Sequence, residues 1–71
     1  MDLSEILEYL NQTGWSESKQ LSDHYVRDKT KGIVAIDRAA NQAFIVERIG
    51  DIPWSRISNA EQFEQDLTHL Q

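Results

Sequence analysis

The sequence predicts a small α+β domain, a two-layer sandwich in which two amphipathic helices cover one face of a three-stranded antiparallel sheet. Three observations support this prediction. Apolar residues recur with helical spacing near both ends of the chain, two apolar runs flank a polar turn in its middle, and 71 residues are enough for only one core. We therefore treat residues 1–71 as a single domain with the element order helix, strand, strand, strand, helix.

The first helix is predicted directly at the beginning of the sequence. Asp2 and Glu5 have the spacing of a capping box, which satisfies free backbone N–H groups at a helix start. Gly14 is expected to end the helix in a left-handed conformation, with Trp15 folding back onto the last turn. Four apolar residues share one helical stripe: Leu3, Ile6, Leu7 and Leu10.

Residues 16–31 carry the weakest pattern in the chain. Leu21, Tyr25 and Val26 fit a short strand about as well as a helical turn. We predict a strand, because Tyr25 and Val26 favour pleated structure and because a hairpin of two strands is only marginally stable.

The central segment, residues 32–49, predicts a β-hairpin whose loop is residues 38–41. With that loop, Ile36 lies opposite Ala43, and side chains alternate between the two faces. One face then carries Val34, Ile36, Ala43 and Ile45, continuing to Ile49, and the other carries Ile33, Ala35, Phe44 and Val46, followed by Arg48. Both faces are apolar, which is unusual because an antiparallel sheet normally has one face in water.

The second helix is predicted after a break at Gly50, Asp51 and Pro53. Ser58 and Glu61 have capping-box spacing at its start. Its apolar stripe consists of Ala60, Phe63, Leu67 and Leu70. Two such helices can cover one face of the hairpin, so the other face is expected to stay open.

Charge is distributed unevenly along this small acidic protein. The net charge is −5, yet residues 1–17 and 57–71 contain no Lys or Arg, so the middle of the chain is mildly basic. Cysteine is absent, which excludes disulfides and thiolate metal sites. The start of the chain lacks the pattern of a secretory signal, and no run is long enough to span a bilayer, so we expect a cytoplasmic protein that does not enter membranes.

No residue pattern indicates catalysis or a bound cofactor. His24 and His69 lie far apart in sequence and lack the spacing of metal ligands. A nucleophile motif and a glycine-rich phosphate loop are also missing. The expectation is therefore a protein that is not an enzyme and has no metal site, no cofactor and no evident small-molecule ligand.

The open hairpin face is the first candidate for function. It predicts a protein–protein interaction module or regulator that forms a homodimer or binds a larger partner, since so short a chain without a staple often needs a partner. Trp54 and Arg56 are further candidates because both residue types are enriched at interface hot spots, although Trp54 could instead close the core. The candidate residues are Ile33, Phe44, Val46 and Arg48 on the sheet, with Trp54 and Arg56 in the following loop.

Three alternatives stay open. A basic set, Arg27, Lys29, Lys31 and Arg38, could bind nucleic acid, but the net negative charge disfavours this partner. The element order is similar to that of double-stranded-RNA-binding domains, yet residues 59–66 hold three acids where that family has a lysine cluster. The acidic helices could instead imitate nucleic acid, and an enzyme or ligand site could form across a dimer interface.

Overall fold

A computed structural model of the chain describes residues 1–48 and 50–70. Five strands form one antiparallel sheet in sequence order, and a helix precedes and follows them. The predicted α+β class with terminal helices is confirmed, whereas the sheet has five strands and not three. The elements are α1 (Leu3–Gln12), β1 (Ser16–Glu17), β2 (His24–Val26), β3 (Ile33–Asp37), β4 (Gln42–Val46), β5 (Ser55–Arg56) and α2 (Ala60–His69).

The predicted hairpin is β3 paired with β4. Its register runs from Ile33 opposite Val46 to Asp37 opposite Gln42, as the four-residue loop required. Asn41 takes a left-handed conformation in that loop, with φ of 56°. The register is therefore confirmed, while Ile49, which the pattern places on the Val34 face, lies outside the described residues.

The two strands that sequence reasoning missed are the outer ones. β1 and β5 contain two residues each, too few to show an alternating pattern. They are ordered by hydrogen bonds to neighbouring strands. Directly after β5, for example, the backbone N–H of Ile57 donates to the carbonyl of Ala43 in β4 at 2.9 Å. The strand predicted within residues 16–31 is confirmed as β2, but Leu21 lies outside it and is 39% exposed.

The predicted ends of α1 are confirmed. The backbone N–H of Glu5 donates to the Asp2 carboxylate at 2.9 Å, and the Glu5 carboxylate accepts from the Asp2 backbone at 3.1 Å. Gly14 has φ of 90°, and the N–H of Trp15 donates back to the carbonyl of Leu10 at 3.0 Å. This Schellman geometry turns the chain so that Trp15 enters the core, where only 3% of it is exposed.

The start of α2 differs from the prediction by one residue. Asn59, and not Ser58, caps the helix, because its side-chain oxygen accepts from the N–H of Gln62 at 2.8 Å. The Gln62 side chain in turn accepts from the Ser58 N–H at 2.9 Å. Asn and Gln thus replace the Ser and Glu of the predicted box, with Glu61 left exposed.

Both helices pack on the sheet face that carries Val34 and Ile45, which is called the inner face here. Gly32 allows this packing, because a Cβ at that position would lie 2.7 Å from Cδ2 of Leu67 in α2. The buried cluster consists of Leu3, Ile6, Leu10, Trp15, Val34, Ile36, Ala43, Ile45, Ile57, Phe63 and Leu67. The predicted coverage of one face by two helices is therefore observed.

Candidate protein interface

The opposite face of the sheet, called the outer face, is not part of the buried cluster. Its members follow from strand register and alternation, because residues opposite one another share a face. They are Ser16, His24, Val26, Ile33, Ala35, Asp37, Gln42, Phe44, Val46, Trp54 and Arg56. Val26 is 37% exposed and Trp54 is 45% exposed, whereas four described residues of the inner hairpin face are at most 9% exposed: Val34, Ile36, Ala43 and Ile45.

Apolar side chains cross the outer face as one row, here called the apolar band: Val26, Ile33, Val46 and Trp54. Ile33 and Val46 are direct partners, and the N–H of Trp54 donates to the carbonyl of Ile45 at 2.7 Å, which places Trp54 beside Val46. Val46 itself is 3% exposed, so it forms the floor of the band and offers a partner no free surface. Phe44 and Ala35 lie half-buried in the adjacent row.

The loop between β4 and β5 extends this apolar surface. Ile52 is 88% exposed and lines a hollow of about 390 Å³ together with Trp54, Glu47 and Asp51. Ile52 was not predicted as a site residue. Its only signal in the sequence was an isolated apolar side chain among loop-forming residues, outside every periodic pattern.

The predicted interface residue Arg48 does not lie in a strand. It follows β4, its side chain is 83% exposed, and its guanidinium contacts the Asp51 carboxylate at 3.4 Å. Such an exposed ion pair contributes little to stability. Arg48 therefore lies beside the outer face, at the end where the apolar band meets the loop.

Arg56 is the exposed cation of the outer face. It is the residue opposite Phe44 and makes no ion pair within the described part of the chain. Among the described residues, Asp37 at the end of β3 is the one carboxylate that a strand places on the same face. The outer face is thus an apolar surface on which Arg56 and Asp37 leave no net charge, in contrast to the acidic helices behind it.

The basic set predicted for nucleic acid does not form one surface. The Arg27 guanidinium lies 4.8 Å from the Trp15 ring centre, and its Nη1 donates to the Thr13 carbonyl at 3.2 Å. Arg38 pairs with Asp23 at 2.9 Å. Only Lys29 and Lys31 remain exposed without an ion pair in the described residues, so the set supplies fewer free cations than its sequence suggested.

A polar cluster between the layers joins both helices to the sheet. The Tyr9 hydroxyl donates to the Glu64 carboxylate, which also lies 3.7 Å from Arg27. Burial, assisted by the hydrogen bond to Glu64, raises the pKa of Tyr9 to about 12. Tyr9 also meets Phe63 edge-on at 6.1 Å, so the cluster is best understood as structural support for the core.

A second polar cluster ties α2 to β5. The Ser55 hydroxyl donates to the Asp66 carboxylate at 2.8 Å, and the Gln62 amide contacts both of them.

Within residues 1–48 and 50–70, no three His, Cys, Asp or Glu side chains are grouped so as to hold a metal ion. Neither described helix has the length and apolar character needed to cross a bilayer.

Comparison with known proteins gives this chain no relative. No protein-family model matches it, and neither a curated protein nor a solved structure does. Its function must therefore be inferred from the outer face, the charges beside it and the loop that extends it.

Proposed function

We propose that the protein is a non-enzymatic protein–protein interaction module or small regulator that binds through its outer face, either to a second copy or to a larger protein. The observation that carries this proposal is the exposure of Val26 and Trp54 on one face of a sheet whose other face packs against both helices. Contiguous exposed apolar surface commonly marks an interaction site. Ile52 extends that surface beyond the sheet.

The short edge strands of the sheet favour binding of a partner to the outer face over binding to an edge. Partner proteins often bind by adding a strand to a free edge, which requires a row of unpaired backbone groups. Here β1 and β5 have only two residues each, so both edges offer little backbone. Trp54 and Arg56, by contrast, supply the residue types that most often dominate binding energy.

The test introduces an aspartate at one outer-face position and, as a control, at one position away from that face. Phe44→Asp places a carboxylate in the centre of the outer face, and Gln65→Asp places one on the exposed side of α2. We expect sedimentation of the chain alone, together with capture of host proteins, to show an association that Phe44→Asp weakens at least tenfold and Gln65→Asp leaves unchanged. An association that survives Phe44→Asp at full strength would contradict the proposal.

Nucleic-acid binding through the basic set is the weaker alternative. Arg27 and Arg38 are held by contacts within the protein, which leaves Lys29 and Lys31 for phosphate. Binding by this route must weaken steeply as salt is added, because neutralised phosphates release counterions. Measurable binding to duplex or single-stranded nucleic acid at low salt, lost in Lys29→Gln and Lys31→Gln, would favour it over the protein interface.

A further inference from the structure

We propose that the partner on the outer face is a second copy of this chain, related to the first by a twofold axis that runs along β4. This inference rests on the proposed function and names the occupant of that face. The two sheets lie face to face with the helices on both outsides, so the dimer has four layers. Its support comes from two charges on the outer face, the apolar residues between them and the position of the acidic helices.

Two charged strand residues of the outer face, Arg56 and Asp37, have no ion pair in the part of the chain that the structure describes. They lie on opposite sides of β4, because Arg56 belongs to β5 and Asp37 to β3. A twofold axis along β4 places β5 of one copy against β3 of the other. The cation of each copy therefore lies on the side of the interface where the other copy has its anion.

The strand register gives the distance that remains between the two charges. Arg56 lies opposite Phe44, and Asp37 lies opposite Gln42, two residues further along β4. Two residues of a strand span about 7 Å, an offset that the long arginine side chain can bridge. Any other partner would have to present a cation and an anion at this same spacing, whereas a second copy does so by symmetry.

The same axis brings apolar residues together at the centre of the interface. Phe44 lies on β4, so it meets Phe44 of the second copy, and aromatic pairs attract one another beyond the area that they bury. Ile33 beside β4 on one side and Trp54 on the other are both level with Val46, so Ile33 of each copy faces Trp54 of the other. The two ion pairs then flank an apolar centre, as the polar rim of an interface does.

The charge of the whole chain explains why two copies meet through this face. A net charge of −5 makes most approaches of two copies repulsive. The acidic helices α1 and α2 contain no Lys or Arg and pack on the inner face, behind the sheet. Packed layers lie about 10 Å apart, so the helix layers of the two copies are held about 30 Å apart. That separation exceeds the screening length of about 8 Å at physiological salt.

The size of the outer face sets the strength of the dimer. Five strands about 4.8 Å apart and at most about 17 Å long give a footprint of roughly 350 Å² on each copy. Stable complexes bury about 1,200–2,000 Å² in total, and smaller interfaces are typical of transient association. We therefore expect a reversible dimer with a Kd on the order of 10–100 μM.

The experiment exchanges the charges of Arg56 and Asp37 and follows the full chain by sedimentation equilibrium over a wide range of concentrations. We expect Arg56→Glu and Asp37→Arg each to weaken the dimer at least tenfold, because each variant replaces two attractive contacts with two like-charge contacts. An equimolar mixture of the two variants should restore dimerisation, since both contacts in the mixed pair again join opposite charges. A chain that carries both substitutions should dimerise as the unaltered chain does.

Two control variants keep the charge exchange interpretable. Lys19→Glu makes the same charge change as Arg56→Glu in the exposed loop between β1 and β2, and it should leave the dimer unchanged. The Asp37 carboxylate also accepts from the Ala40 N–H at 3.1 Å, so Asp37→Arg removes an acceptor of the hairpin turn. If circular dichroism shows that variant to be unfolded, Asp37→Asn keeps the acceptor. Added to Arg56→Glu, it removes the like-charge contacts and should recover part of the lost association.

Two kinds of result would overturn this inference and leave the proposed function standing. One is a dimer that Phe44→Asp weakens while the charge exchange does not alter it, or while the mixed variants fail to restore it. The other is a chain that stays monomeric at every concentration and captures a host protein that Phe44→Asp releases, which would make a different protein the occupant. If the chain neither dimerises nor captures a partner that depends on Phe44, both the inference and the proposed function fail.

Discussion

The inner and outer faces of this sheet are made of similar residues and have opposite surroundings. On β3, Val34 is fully buried beneath the helices while its neighbours Ile33 and Ala35 are only half-buried on the other side. Fully burying one aliphatic or aromatic side chain contributes about 1.5–3 kcal/mol. The inner face therefore supplies stability, and the outer face keeps part of the same free energy available for binding.

The comparison is tested most severely by placing one charge on each face of the same strand. Val34→Asp buries an unpaired carboxylate and should cost more than about 4 kcal/mol, which is comparable with the roughly 4–10 kcal/mol expected for a domain of this size. We expect circular dichroism to show an unfolded chain. Ala35→Asp, one residue away on the outer face, should stay folded, and unfolding of both variants would contradict the distinction between the faces.

A smaller effect is expected at Gly32, where α2 comes closest to the sheet. An added Cβ would lie 2.7 Å from a Leu67 methyl group and 3.3 Å from an Ile45 methyl group, so Gly32→Ala must displace the packed side chain of Leu67. Overpacking of this kind costs typically 1–3 kcal/mol, to be measured by urea unfolding. An unchanged or increased stability would show that α2 is not held tightly against the inner face.

The Tyr9–Glu64 contact of the inner layer predicts a pH dependence. The pKa of Tyr9 is raised to about 12 in the folded protein, whereas an unfolded tyrosine titrates near 10. The stabilisation is therefore fully present below pH 10 and is lost as the pH rises from 10 towards 12. The midpoint temperature of thermal unfolding should fall less between pH 10 and 12 for Tyr9→Phe than for the unaltered protein. An equal fall for both proteins would contradict the burial of this hydroxyl.

The smallest effect concerns the two tryptophans, one in each environment. Trp15 is 3% exposed and Trp54 is 45% exposed, so acrylamide should quench Trp54 fluorescence and spare Trp15. Trp54→Phe should remove most of the quenchable signal and change the free energy of unfolding by less than about 0.5 kcal/mol. Strong quenching that persists in Trp54→Phe would place Trp15 outside the core.

Local chemistry explains which parts of the fold could be predicted from the sequence. The caps of α1 depend on neighbouring residues, so Asp2, Glu5 and Gly14 were sufficient to predict them. The β3–β4 register likewise follows from the four-residue loop 38–41 between the strands. β1 and β5 depend on distant backbone partners and contain two residues each, which leaves no pattern to read. The cap of α2 was misassigned because Ser58 and Asn59 are both good N-caps, and only the folded geometry selects between them.

For the candidate site, the sequence predicted which residues share a sheet face but not which of them are exposed. Alternation identified Ile33 and Phe44 as one face, but it could not show that Val46 is covered or that Ile52 is exposed. Likewise, sequence proximity grouped Arg27 with the lysines, whereas its contacts with Trp15 and Thr13 depend on the turn after α1. Side-chain burial is set by tertiary packing, which periodicity does not encode.

The central claim is that the outer face lies outside the core of the folded chain. Urea unfolding of Phe44→Asp tests it most directly, because Phe44 occupies the middle of that face and is only half-buried. A free face predicts a loss of about 1–2.5 kcal/mol relative to the unaltered chain, from the half-burial of Phe44 and the poor strand propensity of Asp. A loss as large as that of Val34→Asp would show that the outer face belongs to the core and is not a docking surface.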